Sequence, residues 1–165
     1  MNITVQPFGK TPNGEQAFLY TIENNHGLSV TISTFGGIIT NLMAPDKDGN
    51  FEDVVLAHAG LEQYFTNPGS LGATIGRNAN RIADAQVVID DITYDLLKND
   101  GENNLHTGPK GLQFQLFDAE AITTEDTASL RLFTVVYDME DGFPGTLEVQ
   151  IDFTLTNDNA LVLEY

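Results

Sequence analysis

Three observations predict an all-β chain folded as a large antiparallel β-sandwich. From Leu147 to Leu155 the apolar residues Leu147, Val149, Ile151, Phe153 and Leu155 alternate with Glu148, Gln150, Asp152 and Thr154. Side chains of a strand point to opposite faces in turn, so this pattern makes one dry and one wet face. Turn-forming clusters recur at short spacing through the 165 residues, which suits many short strands joined by tight connections. Helical periodicity is almost absent: one or two turns at Leu61-Glu62-Gln63-Tyr64-Phe65 are the sole candidate, halted by Asn67-Pro68-Gly69.

Taken in chain order, rougher alternation predicts strands at Ala17 to Ile22, Leu28 to Ser33, Ile38 to Met43, Val54 to Ala57, Val87 to Leu96, Phe114 to Ile122, Leu130 to Tyr137 and Leu161 to Tyr165. Asn24-Asn25-His26-Gly27, the Pro45 to Asn50 segment, Asp90-Asp91, Asn99-Asp100-Gly101 and Asn157-Asp158-Asn159 read as the turns between strands. No repeat, low-complexity tract or linker divides residues 1–165, which predicts a single domain. Leu161-Val162-Leu163-Glu164-Tyr165 reads as a strand with no polar tail after it, and an unpaired edge there would favour self-association.

Seven Lys and Arg against 24 Asp and Glu give a net charge of −17. A phosphate backbone is gripped by clustered cations, so nucleic acid is not an expected partner. The hydrophobic fraction of 41%, with ten Phe and five Tyr, is too high for a disordered acidic chain. With no cysteine, disulfides, thiolate zinc sites and a cysteine nucleophile are excluded. No apolar run approaches the roughly 18 residues of a membrane span, and Met1-Asn2-Ile3-Thr4 lacks the start of a signal peptide. The expectation is a cytoplasmic protein without membrane association.

Cations are so scarce that their placement is informative. Arg77 and Arg81 lie in Gly76-Arg77-Asn78-Ala79-Asn80-Arg81, where regular extension would put both arginines on one side and Asn78 and Asn80 on the other. Arg and Asn offer hydrogen-bonding groups of fixed geometry suited to hydroxyls or carboxylates. His106, in the Asn103 to Gly111 loop, is a group able to exchange a proton near neutral pH. His26 and His58 have no partner at metal-ligand spacing and are read as structural. Asp46, Asp48 and Asn50 begin like a calcium loop, but Phe51 stands where glycine is required, so a hairpin turn is expected and no metal.

Five segments together resemble the aldose 1-epimerase family, the galactose mutarotases. They are Ala44-Pro45-Asp46-Lys47-Asp48-Gly49, Asp53-Val54-Val55-Leu56, Gly72 to Ala83, Asn103-Asn104-Leu105-His106 and Gly142-Phe143-Pro144-Gly145, followed by Phe153-Thr154-Leu155-Thr156. The resemblance implies a galactose mutarotase-like supersandwich that interconverts the α and β anomers of free hexoses such as galactose or glucose, without a cofactor. It implies substrate contacts from Asn80 and Arg81, and for His106 both a contact near the sugar ring oxygen and assistance to the catalytic acid. In the family pattern a second His, a substrate-binding Asp and a Glu base follow beyond the position of Tyr165. This polypeptide is therefore expected to be the N-terminal portion of a mutarotase domain, with little or no activity alone.

Two alternatives accompany that reading: a non-catalytic carbohydrate-binding sandwich, and a hexose-6-phosphate 1-epimerase in which Arg77 holds the phosphate. The charge of −17 opposes a dianionic ligand. The chain also departs from the family pattern. His106-Thr107-Gly108 replaces the usual His-Gly-Gly, and Leu112-Gln113 replaces Phe-Asp. Leu71 takes the place of an aromatic, and Asp90-Asp91 that of Asp-Gly.

Overall fold

A computed structural model describes residues 1–165. Strands β1 (Asn2–Lys10), β2 (Gln16–Glu23), β3 (Ser29–Ser33), β4 (Ile38–Pro45) and β5 (Phe51–Asp53) form one antiparallel sheet in sequential order. After the single turn of 3-10 helix at Leu61–Phe65 come four short strands. Of these, β6 (Arg81–Ile82) pairs with β9 (Asn104–Leu105), and β7 (Gln86–Ile89) forms a hairpin with β8 (Ile92–Asp95). A second antiparallel sheet consists of β10 (Asp118–Thr123), β11 (Thr127–Val136), β12 (Leu147–Thr156) and β13 (Leu161–Glu164), again in sequential order. No helix is long and apolar enough to cross a membrane.

The two sheets bury a common core, as a sandwich requires. Ile22, Leu28, Val30 and Ile32 of the first sheet and its β2–β3 turn meet Leu130, Leu132, Ile151, Phe153 and Leu155 of the second, all at most 7% exposed. The β12 alternation emerges from Ile151 onward, with Ile151, Phe153 and Leu155 buried and Asp152 and Thr154 on the other face, whereas Leu147, expected on the dry face, is 37% exposed and Val149 half-buried. There Arg131 lies opposite Asp152 and donates two hydrogen bonds to its carboxylate, at 2.9 and 3.0 Å. These bonds hold the Asp152 carboxyl below the usual carboxylate range. At one end Asn24 Nδ2 donates to Thr156 O and Asn159 Oδ1, and His26 Nδ1 contacts Asn157 O at 2.8 Å, so the β2–β3 and β12–β13 turns are tied together.

On its outer side the first sheet carries a second cluster, in which Ala17, Phe35 and Ile38 cover Leu61 and Tyr64. His58 stands edge-on to Tyr64, whose hydroxyl accepts its backbone N–H at 2.8 Å. The acidic loop is a hairpin turn, with Asp46 Oδ1 accepting the N–H groups of Asp48 and Asn50.

Several predicted boundaries move. Val54 to Ala57 is not a strand: pairing ends at Asp53, whose Oδ1 takes the N–H groups of Leu42 and Val55 and turns the chain off the sheet. Phe114 to Ile122 joins its sheet only at Asp118: Leu112–Phe114 makes a 3-10 turn, and Leu116 forms an isolated bridge with Phe35, just after β3. Val87 to Leu96 divides into β7 and β8 at Asp90-Asp91, the turn read from the sequence, and both residues have positive φ. Strand β1 has no predicted counterpart; Pro7 and Gly9 flank a bulge and most of its side chains are exposed, which erases alternation. β13 pairs with β12 and lies at the margin of its sheet.

Candidate functional site

The β6–β9 pair brings two distant segments together, with Arg81 opposite Leu105 and Ile82 opposite Asn104. One residue outward, the pairing continues through a side chain. His106 N–H donates to Asn80 O at 3.1 Å, and Asn80 N–H donates to His106 Nδ1 at 3.0 Å. Because Nδ1 accepts a hydrogen bond, the neutral imidazole is assigned its proton on Nε2. Arg81 is oriented by Asp100, whose Oδ2 accepts the Nε–H at 2.6 Å, while the arginine side chain remains 56% exposed. The Arg81 terminal nitrogens, the Asn80 side-chain amide and His106 Nε2 make no hydrogen bond within the chain. Adjacent residues thus present a guanidinium fork, an amide and an imidazole N–H, a set able to bind hydroxyl oxygens.

Arg77 does not join them. Its Nη1 donates to Pro144 O and its Nη2 to Val136 O and Tyr137 O, each at 3.0 Å. Regular alternation fails between the two arginines, because the chain forms no strand until Arg81 and Asn80 has a φ of 65°. Arg77 instead fastens this segment to the end of β11 and to the Gly142-Phe143-Pro144-Gly145 turn. Phe143 anchors that turn beside Ala85 and Leu96 in a third small core.

The His106 loop is held largely by side chains bonding to backbone. Asn104, fully buried, donates through Nδ2 to Leu97 O and Thr107 O, both at 2.8 Å. Gln113 Nε2 donates to His106 O at 3.1 Å. Asp141 Oδ2 accepts the Lys110 N–H at 2.7 Å, and burial pushes the Asp141 carboxyl above its ordinary range. Gly108 makes room for it: at a φ of +117°, a Cβ there would lie 2.9 Å from Asp141 Oδ2. His106 also lines a cleft of about 420 Å³ with Asn67, Asn99, Gln113 and Phe114, which Asn80 and Arg81 do not line. No group of three or more His, Asp or Glu side chains is arranged to hold a metal ion.

Sequence reasoning missed Asp100, which reads as a turn residue in Asn99-Asp100-Gly101, and Asn104, which reads as one more polar loop residue. A signal was present for Thr107 and Gln113, since both are departures from the family pattern.

Comparison with known proteins agrees along the whole chain. The family model described as aldose 1-epimerase matches residues 19–165. An aldose 1-epimerase of Streptococcus thermophilus is 32% identical, over 99% of this chain and 47% of its own length. A galactose mutarotase of Mus musculus is 34% identical, over 100% of this chain and 47% of its own. The crystal structure of a galactose 1-epimerase from Lactobacillus acidophilus NCFM superposes with a TM-score of 0.86 at 25% identity, covering 98% of this chain and 47% of that one. The chain thus spans about half the length of the curated relatives it matches. With this agreement in sequence and in fold, the chain belongs to the aldose 1-epimerase family.

Proposed function

We infer that this chain supplies the sugar-binding part of an aldose 1-epimerase site acting on free galactose or glucose. The observation that carries the reading is the pairing of the Asn80 backbone with His106, which leaves the imidazole N–H, the Asn80 side-chain amide and the Arg81 terminal nitrogens without hydrogen bonds in the chain. In the proposed reaction a carboxylate base takes the proton of the C1 hydroxyl as an acid protonates the ring oxygen and the C1–O bond breaks. Rotation about C1–C2 in the open aldehyde and reclosure give the other anomer. His106, donating from Nε2, would hold the ring oxygen and assist its protonation, while Asn80 and Arg81 would fix the hydroxyls.

His26 Nδ1 is engaged at Asn157 O and the His58 ring packs edge-on against Tyr64, so neither is assigned as the second acid. That favours binding without turnover in the 165-residue chain. The sugar-phosphate alternative is weakened, because the three carbonyl bonds of Arg77 occupy the cation it called upon. Polarimetry on freshly dissolved α-D-glucose, together with titration calorimetry with galactose, tests the reading. Saturable binding with mutarotation near the uncatalysed rate is expected; rapid mutarotation by this chain, or no binding of either hexose, would contradict it.

A further inference from the structure

Thr107 adopts a φ of 72°, a region in which a β-branched residue is an outlier. Its side chain is nonetheless 99% buried and fully used. Thr107 Oγ1 accepts the Asn78 N–H at 3.0 Å and donates to Asn78 O at 3.3 Å, so one hydroxyl serves both polar groups of that residue's backbone. Asn78 lies two residues before Asn80, and Thr107 directly follows His106. The Thr107 hydroxyl therefore continues, one step further along, the bridge that places Asn80 N–H on His106 Nδ1. On the other side of Thr107, Asn104 holds its carbonyl and Gln113 holds that of His106. An unfavourable backbone conformation kept in place by this many bonds marks a position fixed by its surroundings.

We propose that Thr107 is a positioning residue for His106: its hydroxyl locks the 77–81 segment to the 104–108 segment and so keeps the imidazole in the Nε2–H form that donates to a ligand. This deepens the proposed sugar site and rests on that reading for its functional consequence, although the tautomer can be observed without any sugar. A role confined to holding the fold would change the melting temperature and leave the tautomer alone.

The test is long-range proton–nitrogen NMR of the three histidine rings in the 165-residue chain, with galactose titrations of the same samples. Thr107→Val keeps the branched shape and removes the hydroxyl, Thr107→Gly relieves the backbone and removes it, and Thr107→Ser retains it. The native chain and Thr107→Ser should show His106 as a single Nε2–H tautomer at a pH where it is neutral. Thr107→Val and Thr107→Gly should show a mixture, and Thr107→Val a galactose Kd raised about tenfold, as expected for one lost buried hydrogen bond; Gly is the residue usual in the family at this position, so Thr107→Gly is read through the tautomer alone. Should Thr107→Val not fold, Thr107→Gly carries the tautomer reading. A native tautomer retained in the folded variants that lack the hydroxyl would overturn the proposal. A shifted tautomer in a protein none of whose forms binds galactose would uphold the positioning role and defeat the sugar reading.

Discussion

The two sheets and the segment between them are built on different principles. In β11 and β12 the chain is extended, the ladder satisfies the backbone, and every second residue from Ala128 to Leu132 and from Ile151 to Leu155 is buried. Between Leu61 and Leu116 regular elements shrink to two to five residues, and nine of the twelve non-glycine residues of positive φ fall in that stretch. There, beside the short β6–β9 and β7–β8 ladders, the backbone is held by Asn104, Thr107, Asn99 and Gln113 side chains. The contrast teaches that the sandwich can tolerate an irregular, polar face because its stability comes from apolar burial elsewhere. It also implies that the two regions should fail separately.

The largest effect belongs to the core. Phe153→Ala empties a position 1% exposed between the sheets and should cost about 3–5 kcal/mol of global stability, read from denaturant melts. The amides of β11 and β12 that open only with the whole fold should lose protection together. Next comes Asn104→Leu, which strips the Leu97 and Thr107 carbonyls of their donor. A loss of about 1–3 kcal/mol is expected, and hydrogen exchange should quicken over residues 97–107 while β11 and β12 stay protected. Uniform exchange in both regions would show that they open as one unit.

A smaller effect concerns Asp152. Its folded carboxyl titrates below the unfolded value of about 3.9, so it contributes stability above that pH and loses it as pH falls through the lower, folded value. Asp152→Asn should flatten the acid limb of the stability profile and cost about 1 kcal/mol or less near neutrality, because its arginine partner is partly exposed. An unchanged acid limb would show that the pair contributes nothing. Smallest of all in stability is Arg81→Ala, expected within about 0.5 kcal/mol since its ion pair with Asp100 is exposed. The same change should abolish measurable galactose binding in calorimetry.

The contrast between the regions also sets how much the sequence reveals. Leu130–Leu132 of β11 and Ile151–Leu155 of β12 are legible because a half-buried strand writes its period of two into the chain, and Leu61–Phe65 because its helical spacing is closed by Asn67-Pro68-Gly69. β1 is hidden by Pro7, Gly9 and its exposed faces, and β5 by the capture of two N–H groups at Asp53. At the site, the motifs single out Asn80, Arg81 and His106, and β6–β9 joins them. No local pattern distinguishes Arg77 from Arg81, since their partners, Pro144 O and Asp100, lie 67 and 19 residues away. Asp100 escapes for the same reason: a turn residue and an arginine clamp look alike until the pairing is known.

The most direct test of the proposed sugar site is galactose titration of the isotopically labelled 165-residue chain followed by amide NMR. Shifts concentrated at Asn80, Arg81 and His106, with the amides of β11 and β12 unmoved, are the predicted result. No shift at saturating sugar, or shifts centred away from the β6–β9 pair, would contradict it.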